Sequence, residues 1–281
     1  VILLVVHVLY VSETFDQSGP PRLAVMLAAI IFGLTWLWIR SAWLRLRNKP
    51  LTVSRVETTG SDCTSVELTL APKTTISYVP GQFAFVSFQS THVSPEPHAF
   101  TLSSTPSRPG VLQFTIRACG DWTSSVGDLS PGDQALLQGP FGRFGYLFSD
   151  PNRELIMIAG GIGITPMLSM LRFMADQNDT RDITLIWSNR SQANVVYPDE
   201  MATLAAKLTG LRRIPIFTRS TENGKQSDRL SRTTLEATLS GCSRQANIFV
   251  CGPPQMITKI KNDLKTIGFP TRSIFTETFG F

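Results

Sequence analysis

Apolar and polar positions divide the chain into three stretches of different period. Val1–Val11 is apolar except for His7 and Tyr10, and it gives way to a polar stretch, Ser12–Pro21, that reads as a short loop. Leu23–Ile39 is then 17 residues without a charge, bracketed by Arg22 and Arg40. As a helix rising about 1.5 Å per residue it would be about 25 Å long, near the lower limit for crossing a bilayer. Trp36, Trp38 and Trp43 extend it in the manner of an interfacial aromatic belt. A transmembrane helix is therefore expected within residues 1–50. The rival readings are a buried helix of a soluble protein and a cleavable signal peptide. The latter is opposed by the missing small-residue cleavage site and by the basic residues that follow.

From Leu51 to about Phe148 the period shortens to runs rich in Val, Phe, Thr and Leu, separated by Pro and Gly. These runs are Leu51–Thr58, Ser65–Ala71, Gln82–Gln89, Phe100–Ser103, Val111–Arg117 and Gln134–Gln138, and their spacing predicts a small antiparallel β-barrel over 51–149. Ser149–Asn152 is a turn-forming Ser-Asp-Pro-Asn boundary. Beyond it, apolar strands (Leu155–Ala159, Ile183–Ser188, Arg213–Phe217, Asn247–Cys251) alternate with helical stretches (Thr165–Gln177, Asp199–Leu208, Arg232–Leu239, Pro254–Ile267). Such alternation predicts a doubly wound parallel sheet, an α/β domain over 153–281.

Composition narrows the picture. At 281 residues with 42% hydrophobic and 17% charged residues, the chain can fill two cores and is not a low-complexity or disordered one. The net charge of +5 might suggest nucleic acid, yet Arg40, Arg45, Arg47, Lys49 and Arg55 stand together without an intervening acid and match that excess. The basicity is local, and no nucleic-acid partner is expected. Because Glu13 and Asp16 precede the apolar run, the positive-inside rule makes the chain an integral membrane protein with residues after Arg40 on the cytoplasmic side. Cys63, Cys119, Cys242 and Cys251 form no CxxC pair, which argues against a zinc knuckle or a disulfide framework and for a reducing setting. The first residue, Val1, stands inside an apolar run, so the chain reads as the C-terminal part of a longer one.

Chemistry is carried by a few motifs. Gly160-Gly161-Ile162-Gly163 directly follows the apolar strand and precedes a helix opening near Thr165-Pro166. Glycines let backbone approach a pyrophosphate, and the helix start supplies free NH donors. Pro166 costs little there, because an NH in the first turn has no intrahelical partner. The loop is not the GxGxxG fingerprint. Cys251-Gly252-Pro253-Pro254 ends another strand, at the edge where open α/β sheets place ligands.

Together with His98-Ala99-Phe100-Thr101-Leu102-Ser103, Arg117-Ala118-Cys119-Gly120-Asp121-Trp122-Thr123 and Gly139-Pro140-Phe141-Gly142, these motifs resemble the ferredoxin-NADP reductase superfamily, in its ferric reductase and NADPH oxidase branch. The resemblance runs from about Leu51 to Phe281 and departs from the branch in having Ala99 where Pro is usual. It implies an FAD-binding barrel and an NAD(P)-binding domain. On the flavin it places His98 near the pyrophosphate, Phe100 over the ring, Thr101 near N5, with Leu102 and Ser103 on the same strand. Arg117 is offered to a phosphate oxygen, and Gly120, Trp122 and Thr123 open a short helix toward the pyrophosphate. On NAD(P)H it places Gly160, Gly161, Gly163, Thr165, Pro166, Gly252 and Pro253, with Cys251 at the hydride-transfer point. Thr218 and Arg219, with Lys225 and Arg229 near them, would grip the 2′-phosphate of NADPH, while NADH stays possible. A terminal aromatic, Phe281 or Phe279, would lie on the flavin. His7 matches an axial haem ligand, since an ionisable residue in an apolar helix is a functional candidate.

The implied activity is electron transfer from NAD(P)H through FAD to transmembrane haem b and on to dioxygen or ferric chelate. The alternative is a peripheral flavin reductase serving a ferredoxin or oxygenase partner, which needs neither His7 nor the span. A membrane-anchored sensor without the chemistry is opposed by Thr101 and Cys251.

Overall fold

The computed structural model of the chain describes residues 26–39, 49–219 and 230–279. It divides into two compact units, Val1–Lys49 and Pro50–Phe281. In the first unit the described residues form one helix, α1, over 26–39. Its large apolar side chains are exposed, from Met26 at 46% to Trp38 at 71%.

The expected span over Leu23–Ile39 is not borne out. Among the described residues no helix is long and apolar enough to cross a membrane. The expectation of an integral membrane protein with residues after Arg40 on the cytoplasmic side loses its structural basis with it. Val1–Val11, His7 and the basic residues Arg40, Arg45 and Arg47 lie outside the described residues.

In the second unit, six antiparallel strands form one sheet: β1 (Lys49–Thr59), β2 (Cys63–Leu70), β3 (Phe83–Gln89), β4 (His98–Thr101), β5 (Val111–Arg117) and β6 (Gln134–Phe141). Their order is β4-β3-β6-β1-β2-β5. A backbone bond of 2.8 Å from Ser103 N–H to Gln113 O brings the chain just after β4 onto β5, so the two edges meet and the sheet curls. Alternation does the sorting: Val66, Leu68 and Leu70 of β2, and Ala84, Val86 and Phe88 of β3, enter one core with Phe114 and Ile116 of β5. A short helix, α2 (Asp121–Ser125), follows β5.

Five parallel strands form the second sheet: β7 (Leu155–Gly160), β8 (Ile183–Asn189), β9 (Leu211–Phe217), β10 (Asn247–Gly252) and β11 (Ile274–Thr278), in the order β11-β10-β7-β8-β9. Every residue of β7 is buried, which a strand covered on both faces requires. Leu155, Met157 and Ala159 face Met167, Leu168 and Leu171 of α3 (Ile164–Asp176). Ile156 and Ile158 face the other layer, where Leu235 and Leu239 of α5 (Arg232–Leu239) meet Ile257, Ile260 and Leu264 of α6 (Pro254–Ile267). Met201 and Leu204 of α4 (Pro198–Lys207) belong to the α3 side. The antiparallel sheet followed by a doubly wound parallel one is the expected fold, without the transmembrane helix. The strands β1, β2, β4 and β9 each begin two residues earlier than predicted, and β11 was not predicted. β11 is five residues long and carries Thr276, Glu277 and Thr278, so it has no apolar run of its own; pairing with β10 makes it a strand.

Candidate active site

Two clefts adjoin at the C-terminal ends of the parallel strands, and Arg117 and Ile162 line both. The first, of about 190 Å³, is walled by Phe83, Phe100, Thr101 and Thr115 from the antiparallel sheet and by Thr165, Glu277 and Phe279 from the parallel one. The second, of about 200 Å³, is lined by Asp62, Gly160, Gly161, Arg190, Thr218 and Pro253, among others.

The first cleft holds polar atoms with no partner. Thr101 is 3% exposed, and its Oγ1 and the Oε2 of Glu277 make no hydrogen bond. An unmet buried polar atom costs about 1 to 3 kcal/mol, so these are positions that a bound group would satisfy. Burial pushes the Glu277 carboxyl up from 4.5 to about 7, because ionisation would leave a charge in a poorly solvated place. Glu277 pairs in register with Cys251 on β10. Cys251 is fully buried, and burial first, then the Glu277 carboxylate, holds its thiol well above the ordinary value. It lines neither cleft.

Beside the cleft, rings stack in series. His98 lies 4.0 Å from the Trp122 ring and Trp122 lies 5.7 Å from Phe100, centroid to centroid. The Trp122 indole donates to Ser94 O at 2.8 Å, which fixes the ring, while the buried Nε2 of His98 stays unpartnered. Leu102 and Ser103 turn the other way and are fully buried. Ser103 Oγ donates to Gln113 O at 3.0 Å and meets Thr115 Oγ1 at 3.1 Å. Gly120 has φ 96, and Thr123 Oγ1 accepts from Cys119 N–H at 2.7 Å, closing the turn locally.

The glycine turn has two steric reasons. Gly161 sits at φ +54, a conformation few residues adopt, and its carbonyl accepts from the Trp187 indole at 2.9 Å. A Cβ on Gly163 would collide with Cys251 O, so only glycine lets the turn after β7 approach the end of β10. The Thr165 hydroxyl donates to Ile162 O at 3.1 Å, and Pro166 is buried in the first turn of α3. Gly252 follows at φ 156, and Pro253 lines the second cleft.

Several contributors went unnoticed in the sequence. Asp62, in the β1–β2 turn, accepts from Arg117 Nε at 2.8 Å and from Asn194 Nδ2 at 3.4 Å. Asn189 is 4% exposed, with an unpartnered Oδ1 at the second cleft. Arg190, and not Arg219, is the guanidinium beside Thr218 in that cleft; Arg219 is exposed and its backbone N–H bonds Arg190 O at 2.8 Å. Only the residue after a strand end signals Arg190. Cys63 also lines the second cleft, but burial, and then Asp62, pushes its thiol up to about 12, which favours the protonated thiol at neutral pH. Phe279 reaches the first cleft, whereas Phe281, Lys225 and Arg229 lie outside the described residues.

Known proteins share this arrangement. Residues 48–142 match the family model of an FAD-binding domain, and residues 157–262 that of an oxidoreductase NAD-binding domain. The two matched domains follow one another in this order along the chain, and Arg117 of the first and Ile162 of the second line both clefts. The chain belongs to the ferredoxin-NADP reductase-like superfamily. It is 27% identical over 244 residues to the reductase component of propane 2-monooxygenase from Rhodococcus jostii (strain RHA1), covering 81% of this chain and 62% of the relative. It is 30% identical over 183 residues to NADH-cytochrome b5 reductase 1 of Dictyostelium discoideum, covering 63% of each. It also shares the fold of the Amycolatopsis cytochrome P450 reductase GcoB, with a TM-score of 0.71 at 21% identity over 83% of this chain and 70% of that one. The chain thus spans about six-tenths of the length of these two curated relatives.

These likenesses correct the expected activity. These relatives are a monooxygenase reductase component, an NADH-cytochrome b5 reductase and a cytochrome P450 reductase, which speaks against the expected membrane-bound transfer through haem b to dioxygen or ferric chelate. The peripheral-reductase alternative is the better supported. His7, expected as the haem ligand, lies outside the described residues.

Proposed function

We propose that the chain is the reductase module of an electron-transfer system, oxidising NAD(P)H with FAD and handing electrons to an oxygenase or ferredoxin-type partner. The observation that carries this reading is the shared wall: Arg117 and Ile162 line both clefts, so groups seated in the two would lie against the same two side chains and close to each other.

FAD, when bound, supplies acceptance of a hydride pair and release of single electrons. The residues fit such a group. Phe100 offers an aromatic face to the first cleft, the Thr101 hydroxyl is an idle donor at its floor, and His98 with Trp122 forms a rigid edge for the rest of the cofactor. Glu277, titrating near 7, can hold a proton at the cleft or leave it charged, as suits a proton-coupled step at neutral pH. Phe279 shields the cleft from water until a nicotinamide ring displaces it. In the second cleft, Gly160 and Gly161 give the pyrophosphate a backbone approach, and Arg117 supplies a charge held in place by Asp62. Arg190 and Thr218 are the groups suited to a 2′-phosphate, which favours NADPH, while the Asn189 Oδ1 can only accept and suits a hydroxyl or amine of either nucleotide.

The test is direct. The purified chain, given FAD and dialysed, should stay yellow and reduce an artificial dye with NAD(P)H. A colourless protein after dialysis would sink the proposal.

A further inference from the structure

Resting on that reading, we propose that Arg172 is a positioning residue: a buried clamp that sets the angle between the two sheets and so the distance over which hydride moves. Arg172 lies in the third turn of α3, and its side chain is only 11% exposed. Nε and Nη2 donate to the two carboxylate oxygens of Glu200 on α4 at 2.7 and 2.6 Å. Nη1 donates at 2.6 Å both to Ser103 O and to Gln113 Oε1 across the boundary on the antiparallel sheet. One planar fork therefore ties α3, α4 and β5, and its fixed donor directions permit a single arrangement of the three.

A second strut runs beside it. The guanidinium sits 5.1 Å over the Tyr197 ring, and the Tyr197 hydroxyl meets Thr115 Oγ1 at 3.0 Å. Thr115 is itself a wall of the first cleft. Tyr197 holds φ 49 and ψ 53, a left-handed conformation that a bulky residue keeps only when its surroundings impose it. Its N–H donates to Thr59 Oγ1 at 3.1 Å. Strain and hydrogen bonds thus meet at the joint between the sheets.

Stability alone is a poor reason for such a cluster, since buried ion pairs can often be replaced by apolar groups without loss. What an apolar contact does not supply is direction. α3 starts at the glycine turn, so a tilt of this helix displaces Ile162 and Thr165 relative to Phe100 and Thr101 across the cleft. Hydride donor and acceptor must approach to about 3 to 3.5 Å, and a misplacement of about 1 Å can cost roughly a hundredfold in rate.

The experiment uses the full chain loaded with FAD and the variants Arg172→Lys and Tyr197→Phe. Arg172→Lys keeps the charge but gathers three donors on one nitrogen, so it cannot reproduce the four hydrogen bonds of the spread fork. We expect it to slow flavin reduction by NAD(P)H roughly ten- to a hundredfold, with FAD content and nucleotide Kd within about threefold of the parent. The deuterium isotope effect on turnover should rise as the hydride step becomes limiting. Tyr197→Phe should give the same pattern at a smaller size. In flavin-free protein, amide exchange over residues 103–115 and 197–207 should quicken in Arg172→Lys while the melting midpoint changes little. An unchanged reduction rate and isotope effect would overturn the clamp, as would slowing that only follows lost FAD. If the parent itself failed to bind FAD, the functional reading would fall, and the exchange comparison would still judge the clamp: unchanged exchange refutes it.

Discussion

Replacing Glu277 by Gln should change stability with pH in a way that identifies the buried carboxyl. In the folded protein this group titrates near 7 against an ordinary 4.5. At about 1.4 kcal/mol per unit, the difference corresponds to at most about 3 kcal/mol. The sign follows from proton counting. Below 4.5 both folded and unfolded chains carry the proton and nothing is lost. Between 4.5 and 7 the unfolded chain releases it while the folded one retains it, so stability falls as pH rises; above 7 the penalty is complete. Gln carries no charge at any pH and escapes the penalty. Urea unfolding of flavin-free parent and Glu277→Gln at about pH 4 and pH 8, chosen to lie on either side of that window, should give similar stabilities at the acidic value and a variant more stable by up to about 3 kcal/mol at the alkaline one. A difference of the same size at both pH values would refute the assignment, because it would then come from packing. The same substitution should remove an inflection near pH 7 from the flavin reduction rate.

Other substitutions separate the two clefts. Thr101→Val removes a hydroxyl without a partner, so it should stabilise the flavin-free protein by about 1 kcal/mol while weakening FAD or slowing its reduction; calorimetry together with FAD titration would show both. Arg190→Ala should weaken NADPH roughly ten- to a hundredfold, about 1.5 to 3 kcal/mol, and NADH much less, whereas Arg219→Ala should do little; apparent affinities for the two nucleotides in both variants decide this. Gly163→Ala drives a Cβ into Cys251 O, so it should push the turn after β7 away from the end of β10, lower the melting temperature and abolish NAD(P)H turnover even where FAD is retained.

Local pattern was enough for the architecture. Short runs rich in Val, Phe, Thr and Leu between Pro and Gly marked the strands of the antiparallel sheet, and the unbroken run Leu155–Ala159 before Gly160 announced a strand of a sheet covered on both faces with a phosphate-type turn at its end. These features are written in neighbouring residues because strand, glycine turn and helix start are local events. The same locality misled at the other end of the chain. An uncharged run between arginines reads as a membrane span by hydropathy, yet length, which the described helix lacks, is what crossing requires. The motifs that pointed to the flavin strand are common to the wider superfamily, so they could name it but not the acceptor.

What tertiary structure alone decided is how distant residues share a place. Glu277 becomes a titrating group because β11 pairs with β10 and buries it beside Cys251. Asp62 meets Arg117 from the far end of a hairpin, 55 residues away, and Arg190 replaces Arg219 at the second cleft because the ends of β8 and β9 lie side by side. Arg172 gains its partners 28, 59 and 69 residues away in sequence. None of these pairings leaves a periodic trace, since the energy that selects them comes from burial and hydrogen bonding across the joint between two sheets, and that joint exists only once both have folded.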